Sequence, residues 1–290
     1  MFPVVSSVLT PAARAAGRGA LIAGVLVAGC AGPVDSGEEA GAASPVAEHV
    51  HGLGLDPTDG TVYVATHDGL FRAAAGAELA QVGAAGRDLM GFTMAGPGTI
   101  LSSGHPGPGE DVANPLGLVR STDGGATHTT VSLAGEVDFH ALDVSVSTIY
   151  GLDAGRQALR ASTDGGTTWQ DRASVAALDI AVDPADAATV LATVQGGVVA
   201  SRDGGATFGA PTGPVMAYVS WAPDATVYGI ALDGGLHTST DGGTTWQQVG
   251  TVPGGRPQAV TGLAGGRVLA ATAGGVYDSR DGGATFVPVS

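Results

Sequence analysis

STDGGTTW, at residues 162–169, is an eight-residue phrase that the chain repeats with little change. The five copies are STDGGATH (121–128), STDGGTTW (162–169), SRDGGATF (201–208), STDGGTTW (239–246) and SRDGGATF (279–286). Their aspartates are spaced by 41, 39, 38 and 40 residues, at Asp123, Asp164, Asp203, Asp241 and Asp281. A fixed period near 40 residues is typical of solenoids and propellers that are built from one repeated unit.

Each copy of the phrase predicts a tight turn between two strands. Asp-Gly is a strong hairpin signal, and Gly-Gly allows the positive φ that such turns need. The aspartate carboxylate can accept backbone N–H groups within the turn. The last position packs a ring where the next strand begins, and it is filled by Trp169, Phe208, Trp246, Phe286 and once by His128. Calcium binding is the alternative, but the further carboxylates of an EF-hand loop are missing, so we expect the five aspartates to be structural.

Short apolar runs before each copy predict strands. In one unit the runs are 178–182, 189–194 and 197–200, and a fourth strand follows the phrase. Four antiparallel strands make the blade of a propeller. The runs 51–55, 61–66 and 69–72 repeat this order with residues 73–76 in place of the phrase. The sequence therefore predicts an all-β, six-bladed propeller as a single domain over residues 48–290, closed by side-chain packing rather than by an exchanged strand.

The N-terminal residues have the features of a targeting segment. Arg14 and Arg18 precede the apolar run 20–28, which is too short for a stable membrane anchor. The run leads into Val-Ala-Gly-Cys, which ends at Cys30, the only cysteine of the chain. This motif resembles a bacterial lipobox, and the resemblance implies lipidation of Cys30. An ordinary signal peptide is the alternative. Residues 31–47 are rich in small residues and proline. We expect a signal peptide at 1–29, a flexible tether at 30–47, and a lipid-anchored protein on the extracytoplasmic face of the cell membrane.

The charge balance is strongly acidic. The chain has 27 acidic residues against 12 basic ones, all of them arginine, and its net charge is −15. Such a charge argues against binding to nucleic acid, and a lone cysteine leaves no pair for an internal disulfide. We expect a monomer whose ligand is a small molecule, a glycan or a metal ion.

The repeated phrase resembles the Asp-box, or BNR repeat, Ser-x-Asp-x-Gly-x-Thr-Trp, of sialidase-like propellers, sortilin-type receptors and photosystem-assembly factors. There the box joins the third and fourth strands of a blade, on the face opposite the loops between the second and third strands. With the lipobox, the segments HVHGLGL (49–55), ATHDGLF (65–71), SGHP (103–106) and DFHAL (138–142) are similar to a bacterial lipoprotein family labelled glycosyl hydrolase or exo-sialidase-like. The resemblance implies a sialidase-like propeller in which the boxes are scaffold.

Under this resemblance, five of the seven histidines map to the face opposite the boxes. They stand at entries to first strands or in loops between second and third strands, at His49, His51, His67, His105 and His140. Met90 aligns with His51 at the entry to blade two, and an extra segment at 106–115 falls on the same face. Extra loops on a regular scaffold are often functional.

A histidine cluster of this kind predicts a metal site, because imidazole is the commonest protein ligand of zinc and copper. We predict His51, His67, His105 and His140 as ligands, with His49 and Met90 as further candidates. The thioether of Met90 would favour Cu(I). Alternatively, each histidine hydrogen-bonds only within its own loop.

A glycoside hydrolase makes different demands on the same face. A sialidase holds its substrate carboxylate with three arginines and uses a tyrosine nucleophile paired with a glutamate. Only Arg87 and Arg256 precede first strands, and no glutamate is evidently paired with Tyr218. Another glycosidase could use two of the carboxylates Glu136, Asp138, Asp88 and Asp179. A third hypothesis, an interaction scaffold, would require an exposed apolar patch, and the few aromatic residues do not favour it.

Overall fold

The computed structural model describes residues 49–289, in which six antiparallel sheets follow one another along the chain. The first three sheets contain β1 (Val50–Leu55), β2 (Val62–Thr66), β3 (Gly69–Ala73) and β4 (Ala80–Val82); β5 (Asp88–Gly96), β6 (Thr99–His105), β7 (Leu118–Ser121) and β8 (Thr129–Ser132); and β9 (Phe139–Ser145), β10 (Thr148–Asp153), β11 (Ala158–Ser162) and β12 (Gln170–Ser174). In each of them a strand pairs with the next one along the chain.

The second half of the chain repeats this order. Its sheets contain β13 (Ile180–Asp183), β14 (Asp186–Val194) and β15 (Gly197–Ser201); β16 (Met216–Trp221), β17 (Val227–Ala231), β18 (Gly235–Ser239) and β19 (Gln247–Thr251); and β20 (Pro257–Gly262), β21 (Val268–Thr272), β22 (Gly275–Ser279) and β23 (Val287–Pro288). A short 3₁₀ turn, Ala264–Gly266, separates β20 from β21. No helix among residues 49–289 has the length and apolar character needed to cross a bilayer.

The innermost strands of the six sheets form a closed ring. β1 contacts β5, β5 contacts β9, β9 contacts β13, β13 contacts β16, β16 contacts β20, and β20 contacts β1 again. At the closure the backbone N–H of Val50 donates to Oε1 of Gln258 at 3.1 Å, and Oγ1 of Thr261 donates to the carbonyl of Leu53 at 2.8 Å. The predicted all-β, six-bladed propeller is confirmed, and side chains close its ring.

Blade four departs from the regular pattern at its outer edge. The segment after its turn forms one β-bridge with β15, between Val198 and Thr212, and the N–H of Gly209 also donates to the carbonyl of Ala200. Proline has no backbone N–H and so interrupts a ladder, and Pro211 and Pro214 flank Thr212. The fourth strand of this blade is therefore reduced to one bridging residue.

The repeated phrase forms the same hydrogen-bonded turn in all five copies. In the first copy, Ser121 Oγ donates to Asp123 Oδ1 at 2.7 Å and accepts the N–H of Gly125 at 2.9 Å. Asp123 also accepts the N–H and the hydroxyl of Thr127, at 2.9 and 2.6 Å. The serine is the last residue of the third strand and is buried in each copy. The phrase thus fixes the turn from the third strand of a blade towards its fourth.

The second glycine of each phrase packs against the preceding blade. A Cβ placed on Gly166 would lie 2.2 Å from Leu118 of blade two. The same relationship joins Gly125 to Leu70, Gly205 to Leu159, Gly243 to Leu191 and Gly283 to Leu236. The φ values of these glycines lie between 79° and 91°, a region that side-chain-bearing residues avoid. The glycine therefore serves both the turn and the contact between blades.

Six apolar clusters fill the six junctions between neighbouring blades. The cluster at the ring closure, for example, joins Val64 of blade one to Leu269 of blade six, both fully buried. The rings at the end of the phrase enter these junctions, and Trp169 packs 4.7 Å from Phe139, centroid to centroid. The core is thus distributed around the ring, with one cluster between each pair of neighbouring blades.

Candidate functional site

A cavity of about 540 Å³ opens at the axis of the ring, on the face where the innermost strands begin. Every blade contributes to its wall, through His51, Met90, His140, Leu178, Tyr218 and Gln258. A narrower cavity of about 280 Å³ continues along the innermost strands and shares His51 and Tyr218 with the first. The propeller therefore presents one mouth that leads into an axial channel.

A β-bulge recurs where the innermost strand enters this mouth. In β1 the pairing with β2 shifts between Val50 and Gly52, so that His51 is the extra residue. The same shift leaves His140 as the extra residue in β9 and Gln258 in β20. Bulges re-aim side chains at the ends of sheets, and here they present these side chains to the mouth.

Three histidines of blade one come together at the rim of the mouth. One ring nitrogen of each of His49, His51 and His67 lies within 4.8 Å of the corresponding atoms of the other two. The ring centroids of His51 and His67 are 4.3 Å apart, and those of His49 and His67 are 5.3 Å apart. We call these residues the blade-one histidines.

The carboxylate of Asp88, at the start of β5, faces the blade-one histidines. Its Oδ2 lies 2.8 Å from Nδ1 of His67, and its Oδ1 lies 3.3 Å from Nε2 of His51. Both atoms of the second pair are buried and lack a hydrogen-bond partner among the described residues. Donor atoms around a four-coordinate zinc ion are about 3.3 Å apart, so this pair has the separation of two ligands.

The electrostatics of the cluster favour a neutral His49 next to an ionised Asp88. Partial burial, followed by the charges of His51, His67 and Arg256, lowers the pKa of His49. Burial raises the pKa of Asp88, but the contacts with His51 and His67 outweigh this and the net shift is downward. Metal binding requires those protonation states.

His105 and His140 meet at a different carboxylate. Nε2 of His140 lies 2.8 Å from Oδ2 of Asp138, and Nε2 of His105 lies 3.4 Å from the same oxygen. The hydrogen bond that Nε2 of His140 donates to Asp138 raises the pKa of His140 despite its partial burial. Of the predicted ligands, the structure brings His51 and His67 together with His49, and it brings His105 and His140 together at Asp138. Met90 lines the cavity with His51 and His140.

The extra segment of blade two is fastened to this second group. Nδ1 of His105 lies 2.6 Å from Oδ1 of Asn114. Farther along the segment, Arg87 donates to both carboxylate oxygens of Glu110, with distances of 2.7–3.0 Å, and the N–H of Gly107 donates to Oε2 at 2.7 Å. A bidentate arginine–carboxylate pair fixes geometry as well as charge, so the segment is anchored both at Glu110 and at Asn114 beside His105.

Comparison with known proteins places the fold. The chain matches no protein-family profile and no curated protein sequence. Among solved structures, it resembles an ancestral GH74 enzyme (TM-score 0.54, 17% identity, 80% of this chain and 36% of that chain). It also resembles YCF48 bound to D1 peptide (0.53, 14%, 83% and 82%) and a gluconolactonase from Xanthomonas campestris (0.60, 12%, 80% and 86%).

These likenesses establish a propeller fold alone. At 12–17% identity they carry no function across. The chain spans only 36–38% of the length of the first two GH74 enzymes. The comparisons therefore support the propeller fold that the resemblance to a sialidase-like lipoprotein family implies. The activity has to be argued from the site.

The residues expected for a glycosidase are dispersed. Among residues 49–289, Arg256 is the only arginine in the wall of the mouth, whereas Arg87 is bound to Glu110. Glu136 is exposed and lines neither cavity. Asp179 and Tyr218 lie in the channel, where burial raises the pKa of Asp179 to about 7.

Asp88 and Asp138, which the sequence pattern indicated as catalytic candidates, instead pair with histidines. The sequence signal for this pairing was a spacing, because His49, Asp88 and Asp138 each stand two residues before a residue of the cavity wall, namely His51, Met90 and His140. Bulges at these positions break the alternation of a regular strand, so the spacing alone does not fix which side chains meet. Asn114 had no such signal beyond its place in the extra segment.

Proposed function

We propose that the propeller binds a transition-metal ion, zinc or copper, at the blade-one histidines. The observation that carries the proposal is the approach of three imidazole nitrogens to within 4.8 Å of one another beside the carboxylate of Asp88. Three imidazoles with one further ligand are a common set for zinc and copper.

The surroundings of the cluster support this assignment. Asp88 Oδ2 engages Nδ1 of His67, which leaves Nε2 of that ring as the ligand atom, and such carboxylate–histidine pairs orient metal ligands. Nε2 of His51 gives a further imidazole donor, buried and without a hydrogen-bond partner among the described residues. The thioether of Met90 in the same cavity favours copper in its reduced state.

Calorimetric titration of the chelator-treated full chain with Zn(II), Cu(II) and Cu(I) tests the proposal. We expect stoichiometric binding of at least one of these ions, weakened roughly 100-fold or more in His49→Ala/His67→Ala. Both side chains are exposed, so the thermal midpoint in chelator should match that of the wild type. The matched control is His237→Ala, on β18, which should bind like the wild type. Equal affinity of the double variant and the wild type would refute the site.

A glycoside hydrolase is the second candidate. The raised pKa of Asp179 supports it, since a carboxylic acid that stays protonated near neutral pH can act as a general acid. A mouth of about 540 Å³ is large enough for a sugar ring. Turnover of a panel of fluorogenic glycosides that is lost in Asp179→Asn would favour this function; no turnover of any of them would remove it. Because Arg256 is the only arginine that the described residues contribute to the wall, we expect no activity on sialosides.

The anchoring of the protein is a separate part of the proposal. The sequence at Cys30, outside the described residues together with the predicted signal peptide and tether, supports attachment to a membrane by lipid. Metabolic labelling with a tagged fatty acid should mark the wild type and leave Cys30→Ala unmarked, and the variant should move to the soluble fraction. Equal labelling of both would exclude this attachment.

A further inference from the structure

Arg256 brings a positive charge without a partner to the wall of the mouth. Its side chain is exposed, and among the described residues no carboxylate lies within ion-pair distance of it. Five other arginines do pair with a carboxylate, namely Arg87, Arg156, Arg160, Arg267 and Arg280. A guanidinium is always charged and offers a planar fork of N–H donors that matches a carboxylate. Arg256 is therefore free to receive an anion from solution.

The carboxylates around the mouth already have partners. Asp153 is the only one that the described residues contribute to the wall, and its Oδ2 lies 3.7 Å from Nη1 of Arg160. Asp88 and Asp138 pair with histidines. Asp179, in the narrower cavity, accepts the N–H of Val219 at 3.0 Å. The unmatched charge at the mouth is thus positive, although the chain as a whole is acidic.

Gln258 places a second donor in the same wall. Its Oε1 accepts the N–H of Val50 at 3.1 Å, so the amide is oriented by the ring closure and its NH₂ group is left to donate. Gln258 stands two residues after Arg256, with the buried Pro257 between them. A guanidinium and an amide in one wall offer N–H groups to both oxygens of a carboxylate.

The opposite wall of the mouth is apolar. Leu152 of blade three and the segment Val175–Leu178, which leads from blade three into blade four, line the cavity there. Leu178 is 54% exposed. In a ring of six blades, blade three lies across from blade six, which carries Arg256 and Gln258 at the start of its first strand. Pockets for small molecules combine an apolar lining with a few placed polar groups, and this mouth has that composition.

We propose that the mouth binds a small organic carboxylate, with its acid group on Arg256 and Gln258 and its apolar body against Leu152 and Leu178. A single negative charge fits better than two, because one arginine faces it and the chain carries a net charge of −15. The inference goes beyond the proposed metal site, since Arg256 and Gln258 can hold the anion whether or not an ion is bound to the blade-one histidines. The cavity of about 540 Å³ has room for a ligand of this class.

The test titrates the chelator-treated full chain with 4-phenylbutyrate by calorimetry. Two analogues separate the parts of the probe: 4-phenylbutanol lacks the charge, and acetate lacks the apolar body. We expect 4-phenylbutyrate to bind, and each analogue to bind about tenfold more weakly or worse. An alcohol that binds as tightly as the acid would overturn the role of Arg256. Acetate that binds as tightly as 4-phenylbutyrate would overturn the apolar wall, and no binding of 4-phenylbutyrate would overturn the proposal as a whole.

Substitutions assign the binding to the two walls. Arg256→Gln should weaken 4-phenylbutyrate binding about 10–100-fold, and Leu178→Ser should weaken it about fivefold. Both side chains are exposed, so the thermal midpoints should match that of the wild type. The matched control is Arg202→Gln, in the repeated phrase of blade four, which should bind like the wild type. Equal affinity of Arg256→Gln and Arg202→Gln would refute the site.

Gln258→Glu tests the donor end of the amide. The variant keeps an acceptor for the N–H of Val50, and so keeps the ring closure, but it replaces the NH₂ group by a negative charge beside Arg256. We expect binding of 4-phenylbutyrate to be lost while the thermal midpoint stays within a few degrees of the wild type. Undiminished binding in this variant would show that Gln258 does not touch the acid group.

Titrations with and without Zn(II) keep this proposal separate from the metal site. We expect 4-phenylbutyrate to bind the metal-free chain. Binding that requires Zn(II) and survives Arg256→Gln would put the carboxylate on the ion and overturn the site at Arg256. A chain that binds 4-phenylbutyrate but none of the metal ions would overturn the metal site alone.

Discussion

Gly166, the second glycine of its turn, lies against Leu118 of the preceding blade so closely that a Cβ would stand 2.2 Å from Cδ2 of the leucine. Gly166→Ala therefore combines overpacking with a φ of +89°. We expect it to destabilise the protein by about 2–4 kcal/mol, measured by urea unfolding.

Gly76→Ala is the matched control for that prediction. Gly76 has a φ of +76°, but a Cβ added there would meet nothing within 4 Å, so only the backbone cost of about 1–2 kcal/mol remains. Equal losses in the two variants would show that the turn matters and the contact between blades does not.

Asp164 should make the turn sensitive to acid. Hydrogen bonds from the hydroxyl and N–H of Thr168 and from Ser162 lower its pKa from 3.8 to about 2. The stabilisation is therefore complete above pH 3.8 and is lost as the pH falls through about 2. We expect Asp164→Asn to lower the thermal midpoint by a few degrees at pH 6, with the gap to the wild type closing by about pH 2.

The exposed Asp111→Asn is the control for the acid-sensitive turn, and its midpoint should follow the wild type throughout. A gap between Asp164→Asn and the wild type that does not change with pH would contradict the carboxylate role.

Asp179, in the axial channel, should make the stability of the protein depend on pH in the direction opposite to that of Asp164. Burial raises its pKa from 3.8 to about 7, against hydrogen bonds from the N–H groups of Val219 and Ile180 and with the help of the charge of Asp143. Its contribution to stability is present below pH 3.8 and is lost as the pH rises through about 7. Asp179→Asn should gain thermal stability relative to the wild type between pH 4.5 and pH 8, as measured by calorimetric scans.

Asp143→Asn offers a second check on the channel. Removing this neighbouring charge should lower the pKa of Asp179 and flatten the same pH profile in part, whereas the exposed Asp59→Asn should not. Stability–pH profiles of Asp179→Asn and Asp143→Asn that both run parallel to the wild-type profile, like that of Asp59→Asn, would contradict the raised pKa of Asp179.

Glu110 should hold the extra segment in place without affecting metal binding by the blade-one histidines. Glu110→Gln removes the charge that binds Arg87 in a bidentate pair. We expect faster proteolysis within residues 106–115. The exposed Glu78→Gln should behave like the wild type. Unchanged proteolysis in Glu110→Gln would show that Asn114 suffices to hold the segment.

The fold could be predicted from the sequence because the residues that determine it lie within one short phrase that is repeated five times. Each copy of the phrase contains its own serine, aspartate and glycines, and these make the turn and its contact with the previous blade from within eight residues. The reduced fourth strand of blade four was not expected, although Pro211 and Pro214 carried the signal.

The site was only partly readable because it joins residues that are far apart in the chain. Sequence placed the histidines on one face, but it could not show that Asp88 faces His51 and His67 while Asp138 faces His105 and His140. Those pairings depend on how neighbouring blades are rotated about the axis and on the bulges that present His51 and His140 to the mouth.

The closure of the ring by Gln258 and Thr261 has a consequence for the order of the blades. Because every sheet consists of consecutive strands, no blade is shared between distant parts of the chain. Linking residue 289 to residue 49 and opening the chain between any other two blades would leave all six sheets whole. Circular permutants should therefore fold to the same ring. The histidines at the mouth should keep their positions whichever two blades the new termini lie between.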